Sequence, residues 1–330
     1  MAAPVTPHTA THTAVLKALA TRAYAVVADV LDWPLYFTPC LHAQVLDSAP
    51  DGERIRLWAL VGDEVRSWTS RRTFDPAGLR IGFRQENSRA PLASMGGHWA
   101  FTAEPAEGTS TLVLAHDWTL TDDAPAAARW VAEALDRNST AEVAAVVSWA
   151  ERTETAGELM FSFTDETTID GPPSEAYAFL YRADLWPDRL PHVARLDLDT
   201  TAADEATGGA EVQTLEMDTA AADGTAHTTR SVRLCFPSSA GSPARIVYKQ
   251  TTVPRPLLGH SGEWTVTATE DGRTRVTARH SVALDPDDIT TYFGTGTNLA
   301  DARTKVRDAL GGNSRRTLAA ARAHVESGRR

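Results

Sequence analysis

The segment Leu31-Asp32-Trp33-Pro34 returns in the second half of the chain as Asp184-Leu185-Trp186-Pro187. It is the first of five such echoes. Ser67-Trp68-Thr69-Ser70-Arg71-Arg72 recurs, weakened, as Thr228-Thr229-Arg230-Ser231-Val232-Arg233. Gly97-His98-Trp99 is matched by Gly262-Glu263-Trp264, and Leu112-Val113-Leu114-Ala115-His116 by Val276-Thr277-Ala278-Arg279-His280. Asn138-Ser139 is matched by Asn313-Ser314. The echoes keep one order, and their separation drifts slowly, as loop insertions would cause. They predict one domain plan used twice. A chain of 330 residues agrees with two domains at roughly 100–200 residues each. The join is expected in the polar stretch 151–158, giving domains 1–155 and 156–330.

Each copy has the same predicted layout. A short strand (11–17 and 158–168) leads into a helix (21–31 and 173–182), which the Trp-Pro segment is expected to end. Strands with period-two alternation follow, such as Arg54–Leu60 and Arg275–Val282, broken by Asp-Gly, Gly-Gly and Pro. A long helix closes each copy, over 125–153 and 298–326. This order predicts an α+β fold in which an antiparallel sheet curls around the last helix and leaves room for a cavity.

Composition excludes several classes. The net charge is −11, split as −6 and −5 between the halves. Neither half has the basic footprint of a nucleic-acid binder or of a helix for anionic membranes. No run approaches the ~18 apolar residues of a membrane helix. The start lacks the basic and apolar regions of a secretory signal. Two distant cysteines, Cys40 and Cys235, form no disulfide framework or CxxC zinc site. The expected compartment is cytoplasmic. No nucleotide-binding, metalloprotease or serine-hydrolase motif is present. His8 and His12 are spaced four apart on a segment that reads as extended, so no metal and no cofactor is expected.

The informative signal is ionisable chemistry in apolar register. On strand 65–74, Trp68, Ser70, Arg72 and Phe74 share one face, while Arg71 lies with threonines on the other. On strand 111–120, His116 is the lone ionisable member of the row Leu112, Leu114, Trp118, Leu120. On the closing helix, Asn138 and Glu142 fall on the stripe Val131, Leu135, Val146, Trp149. Burying a lone carboxylate or guanidinium costs several kcal/mol, on the order of a pKa displacement of some units. Arg72, His116 and Glu142 directed inward from three elements therefore suggest a lined cavity suited to acid–base chemistry. The structural alternative stays open. An inward Arg–Glu pair can be an ion pair, an inward His a satisfied core residue, and Trp33, Trp68, Trp99 and Trp118 plain core. The second copy is poorer. His280 faces inward, Arg233 shares a face with Thr229, Ser231 and Cys235, and Thr317 stands where Glu142 stood.

At these residues the sequence resembles the aromatase/cyclases of bacterial aromatic (type II) polyketide biosynthesis, in their di-domain form. The resemblance rests on Ala28-Asp29-Val30-Leu31, Tyr36-Phe37, Trp68-Thr69-Ser70-Arg71-Arg72, Gly97-His98-Trp99, Leu112–Asp117 and Arg137-Asn138-Ser139 with Glu142 behind it. The second half matches more loosely. The resemblance implies a helix-grip fold, like that of steroid-transfer domains, in each half. It implies a poly-β-ketone held through phosphopantetheine on an acyl carrier protein, aldol closure of the first ring and dehydration to an aromatic ring. The di-domain form further implies a chain already reduced at one carbonyl and closure between C7 and C12. Arg72, His116 and Glu142 take the places of the family's functional Arg, His and acid; the acid is commonly Asp.

The implied mechanism gives each residue a role. Arg72 holds a ketone oxygen, His116 takes a methylene proton, and Glu142 delivers a proton to the leaving hydroxyl. Trp33, Phe37, Trp68 and Trp99 wall the chain, and Ser70 and Asn138 orient it or a water. Arg233, His280, Trp264 and Asn313 form a second pocket. The partners are the carrier protein and other synthase components, with Arg84, Arg89 and Arg255 as guesses for receiving the acidic carrier. The rival readings are a non-catalytic carrier of a hydrophobic ligand or lipid on the same fold, and a structural pair of domains with no functional pocket.

Overall fold

A computed structural model describes residues 6–122, 124–220, 226–239 and 241–328. The chain divides into two compact units, Met1–Thr153 and Glu154–Arg330. In the first, β1 (His8–Leu16) leads to α1 (Ala20–Ala28), and a short 3-10 turn leads to the one-turn helix α2 (Trp33–Tyr36). Six strands follow: β2 (Cys40–Ala49), β3 (Gly52–Val61), β4 (Glu64–Asp75), β5 (Arg80–Glu86), β6 (Leu92–Ala103) and β7 (Ser110–Leu120). Helix α3 (Pro125–Ala150) closes the unit. The sheet order is β1-β7-β6-β5-β4-β3-β2. Every neighbouring pair is antiparallel, so a meander is completed by the first strand returning beside the last.

The second unit repeats the plan. The turn α4 (Ala156–Leu159) precedes β8 (Met160–Ile169), α5 (Pro173–Tyr181) and the one-turn helix α6 (Trp186–Arg189). Then come β9 (Val193–Thr201), β10 (Glu211–Ala220), β11 (Ala226–Phe236), β12 (Ala244–Thr252), β13 (Leu257–Ala268) and β14 (Thr274–Leu284). The one-turn helix α7 (Ile289–Phe293) and the long α8 (Leu299–Ser327) end it. Its sheet order, β8-β14-β13-β12-β11-β10-β9, mirrors the first. Both units are helix-grip domains.

Two local readings are corrected. The Trp-Pro segment does not end the first helix. That helix stops at Ala28, the Asp29 side chain accepts from the Leu31 N–H, and Trp33-Pro34 opens a new turn. Proline suits that place because the first turn of a helix has no use for its missing N–H. The predicted stripe of each long helix holds in part. In α3, Val131, Leu135, Val146 and Trp149 are buried as expected, Ala134, Ser139, Val143 and Ala150 join them, and Asn138 and Glu142 are half-buried at the edge. In α8, Val306 and Thr317 are buried as expected with Ser314, Leu318, Ala321 and Val325, whereas Leu310, Asn313, Ala320 and His324 are not.

The recurring Gly-x-Trp has a steric cause. Gly97 lies opposite Phe83 and Gly262 opposite Tyr248 in the β-ladders. A β-carbon at Gly97 would overlap the Ala115 carbonyl and crowd Phe83, and one at Gly262 would overlap the Arg279 carbonyl and Tyr248. The glycine lets an aromatic ring lie across the strand, and the tryptophan two residues on fills the same core face. Gly262→Ala should therefore lower stability by about 1–3 kcal/mol through forced repacking, measured by denaturant unfolding, whereas Gly241→Ala on an open turn should not touch the core.

Candidate active site

Arg72 is the most completely enclosed charged side chain of the N-terminal domain, 1% exposed. Its Nη1 donates to Glu53 at 2.6 Å and to the Ala28 carbonyl at 3.2 Å, and its Nη2 donates to the Val27 carbonyl at 2.5 Å. Trp33 and Phe74 place their rings 5.0 Å from the guanidinium carbon. Burial pulls its pKa below the usual arginine value, and the neighbouring Glu53 opposes that shift. The sequence reading gave this guanidinium to a ketone oxygen. The structure gives its terminal nitrogens to the protein: they cap the carboxyl end of α1 and pair with Glu53.

The other members keep chemical freedom. His116 lies on the inward row of β7, edge-on to Phe83 at 5.3 Å, and its Nδ1 has no hydrogen-bond partner among the described residues. Burial, with the nearby His12 adding, lowers its pKa to about 4. It is neutral at physiological pH, and the same shift makes it a weaker base than a free imidazole. On α3, burial alone raises Glu142 to about 7. It is half protonated near neutrality and can give one. Asn138 donates to the Leu60 carbonyl at 3.1 Å, tying α3 to the end of β3. Ser70 is buried on the Arg72 face of β4, while Arg71 is exposed.

The aromatic residues divide. Phe37 and Trp99 stack at 6.5 Å, Trp99 continues to Phe101 at 6.4 Å, and all three are core. Trp33 is half-buried, donates to the Val27 carbonyl at 3.1 Å and meets Phe37 edge-on. Trp68 is half-buried. His8 stacks on Trp118, and His12 bonds to Asp136.

In the C-terminal domain, Arg233, His280, Trp264 and Asn313 are brought together around one cavity of about 780 Å³. Arg233 repeats the Arg72 arrangement. Its Nη2 donates to the Leu180 carbonyl near the end of α5 at 2.7 Å, and Trp186 lies 5.2 Å away. One element differs. Glu53 faces Arg72 across the β3–β4 ladder, and Gln213 faces Arg233 across β10–β11. Among the described residues no carboxylate forms an ion pair with the second guanidinium, although Glu211 offsets part of its burial from a distance, and its Nη1 has no hydrogen-bond partner.

The sequence reading missed a cluster beside it. His280 Nδ1 lies 2.9 Å from His260 Nε2 and 2.9 Å from the Tyr248 hydroxyl, and its Nε2 lies 2.6 Å from Ser314 Oγ. His260 Nδ1 lies 2.9 Å from Gln250 Oε1. All five residues line the cavity. The signal was available: His260 sits on the same row of β13 as Trp264, an inward place. Of the residues guessed for carrier docking, Arg84 is held by Asp117 in a two-pronged pair, and Arg255 pairs with Asp288 at the cavity lining.

A helix-grip domain with a buried cation at the end of its first helix is present twice, and in the C-terminal copy a lined cavity opens between sheet and last helix. Two family descriptions, both "Polyketide cyclase / dehydrase and lipid transport", match residues 16–143 and 160–326. The actinorhodin polyketide synthase bifunctional cyclase/dehydratase of Streptomyces coelicolor is 47% identical, covering 94% of this chain and 95% of that protein. A granaticin counterpart from Streptomyces violaceoruber is 45% identical over 95% and 93%. Among solved structures, the di-domain ARO/CYC BexL from the BE-7585A biosynthetic pathway is similar, with a TM-score of 0.75 and 39% identity over 97% of this chain and 99% of that one. StfQ from the steffimycin pathway gives 0.73 and 34% over 96% and 98%. The chain belongs to the polyketide cyclase/dehydrase family, in its di-domain aromatase/cyclase form, and is an enzyme of that class.

Two predictions concern stability. Arg72→Ala should cost about 3–5 kcal/mol, because it leaves Glu53 buried without its cation; thermal or denaturant unfolding measures it. The second is a pH dependence. Glu142 is raised from 4.5 to about 7 by folding, so the folded chain holds that proton more tightly than the unfolded one. Its contribution to stability is whole below pH 4.5 and is lost as pH rises through 7, on the order of 3 kcal/mol. Glu142→Gln should therefore raise Tm at pH 8 and leave it nearly unchanged at pH 4.5. His116, His192 and His280, each lowered to about 4 by burial, act in the opposite sense. Their contribution is whole above about pH 6.5, the free imidazole value, and is lost as pH falls toward 4.

Proposed function

We propose that this enzyme takes a poly-β-ketone, reduced at one carbonyl and tethered through phosphopantetheine to an acyl carrier protein, closes its first ring between C7 and C12, and dehydrates that ring to an aromatic one. It would work in the cytoplasm beside the other components of a type II synthase. The similarity to named bifunctional cyclase/dehydratases supports the reaction class. The observation that carries an acid–base role for the N-terminal domain is Glu142. Burial raises its carboxyl to about 7, and among the described residues no cation or hydrogen-bond donor stabilises the charged form. A ligand carrier or a purely structural domain gains nothing from that destabilising group, whereas a proton-transfer site does.

In this reading neutral His116 removes a proton from a methylene between two ketones. The resulting enolate carbon attacks a carbonyl further along the chain, and protonated Glu142 neutralises the new alkoxide. Half-buried Trp68 and Trp33 offer aromatic surface to the folded chain, and Ser70 and Asn138 lie on the elements that flank it. Arg72 serves as a positioning residue, holding α1 and Trp33 against the sheet.

The test is a minimal synthase and ketoreductase reconstituted with full-length variants. His116→Ala and Glu142→Gln, each shown folded, should reduce the aromatic product by about 10²-fold or more and raise shunt products. Wild-type product ratios from both variants would favour the carrier and overturn the assignment of chemistry to this domain.

A further inference from the structure

The cavity of the C-terminal domain holds polar groups that the matching positions of the N-terminal sheet lack. Tyr248 stands where the first sheet has Phe83, each opposite the glycine of Gly-x-Trp. His260 stands where the first has Met95, two residues before that glycine. Both changes fall around the one histidine that the sheets share, His280 and His116. The result is a continuous chain of hydrogen-bonding distances running from hydroxyl to imidazole to hydroxyl.

The polarity of that chain follows from its ends. Gln250 Oε1 accepts from His260 Nδ1, which leaves His260 Nε2 an acceptor. His280 Nδ1 then carries the hydrogen, shared between His260 Nε2 and the Tyr248 oxygen, and His280 Nε2 accepts from the Ser314 hydroxyl. The ring is clamped by Phe163 at 4.7 Å and His260 at 5.2 Å, nearly parallel to both. Burial keeps His280 neutral and Tyr248 protonated at physiological pH. Arg233 lines the same cavity with Nη1 unpartnered among the described residues.

We propose that this cavity is a second catalytic centre, in which Ser314, His280 and Tyr248 form a proton relay that dehydrates a β-hydroxy ketone. The proposal rests on the reading of the substrate as a poly-β-ketone. Dehydration takes a proton from the carbon beside a ketone and delivers one to the hydroxyl leaving the next carbon. In an enclosed apolar space it runs best when no isolated charge is left behind. Ser314 Oγ accepts the carbon-bound proton as its own moves to His280 Nε2. The Nδ1 proton moves to the Tyr248 oxygen, and the Tyr248 proton goes to the departing hydroxyl. The C–H and C–O bonds break, the carbon–carbon double bond forms, and water leaves. His280 is left as its other tautomer, and the reverse transfer, with water at the two hydroxyls, resets it. The Arg233 guanidinium, buried in the wall of the same cavity, stabilises through its charge the enolate that develops on the ketone oxygen. His260 is a positioning residue that fixes the starting tautomer of His280.

The test uses the full-length enzyme in the reconstituted synthase, with product masses followed over time. Tyr248→Phe and His260→Met install the residues that the first sheet tolerates at the same places, and Ser314→Ala removes the other hydroxyl. For folded Tyr248→Phe and Ser314→Ala we expect normal ring closure and a cyclised alcohol, one water heavier than the product, with dehydration slowed about 10²-fold. His260→Met should slow dehydration less and shift its pH profile. His116→Ala should instead block closure and give open-chain shunts. Wild-type dehydration by folded Tyr248→Phe and Ser314→Ala would overturn the relay while leaving the cyclase reading intact. A wild-type enzyme that left the synthase products unchanged would overturn the substrate reading and the relay with it.

Discussion

A buried guanidinium bonded to the carboxyl end of the first helix holds each domain together. The last carbonyls of a helix have no partner within it, and their partial negative charge favours a cation. Arg72 and Arg233 reach them from the sheet, at Val27 and Ala28 in one copy and Leu180 in the other. The tryptophan of the Trp-Pro turn then covers the guanidinium. One side chain thus fixes helix, turn and sheet in a single contact, and the remaining elements can curve around the long helix without filling the space before it. The cation is costly to bury, and the helix-end carbonyls and the tryptophan ring offset that cost in both copies, with Glu53 adding to that offset in the first.

This contact explains what was legible in the sequence. The duplicated plan, the order of elements along the chain and the inward direction of Arg72, His116, Arg233 and His280 follow from alternation and from the echoes, because both are properties of the backbone. The partner of an inward residue is not such a property. Glu53 lies on a different strand, and only the β3–β4 register places it opposite Arg72. Arg72 could therefore be read as facing inward but not as already neutralised. The long-helix stripes were read too narrowly, because a 3.6-residue period leaves positions at a stripe's edge loosely assigned: Ser139, Val143 and Ser314 were left off, and with Ser314 its hydrogen bond to His280. His260 and Tyr248 were overlooked for a simpler reason. The echoes direct attention to residues the two copies share, and these two are where the copies differ.

The differences between the copies are coupled rather than scattered. In the first, Phe83 and Met95 stand at the places of Tyr248 and His260 and offer no strong hydrogen bond, and the His116 Nδ1 has no partner among the described residues, while α3 carries a carboxyl, Glu142. In the second, Tyr248 and His260 engage the equivalent nitrogen, Ser314 engages the other, and the carboxyl on the last helix is replaced by Thr317, whose hydroxyl turns back to the Asn313 carbonyl. A carboxyl next to an imidazole already held at both nitrogens would add a buried charge with no proton to exchange. The counter-carboxylate changes in the opposite place: Glu53 beside Arg72, Gln213 beside Arg233. Each domain therefore carries one buried ionisable group with no ion-pair partner among the described residues, a carboxyl in the first and a guanidinium in the second. A handful of in-register substitutions on one duplicated scaffold thus leaves each copy a different group whose desolvation is not offset by a direct counter-charge.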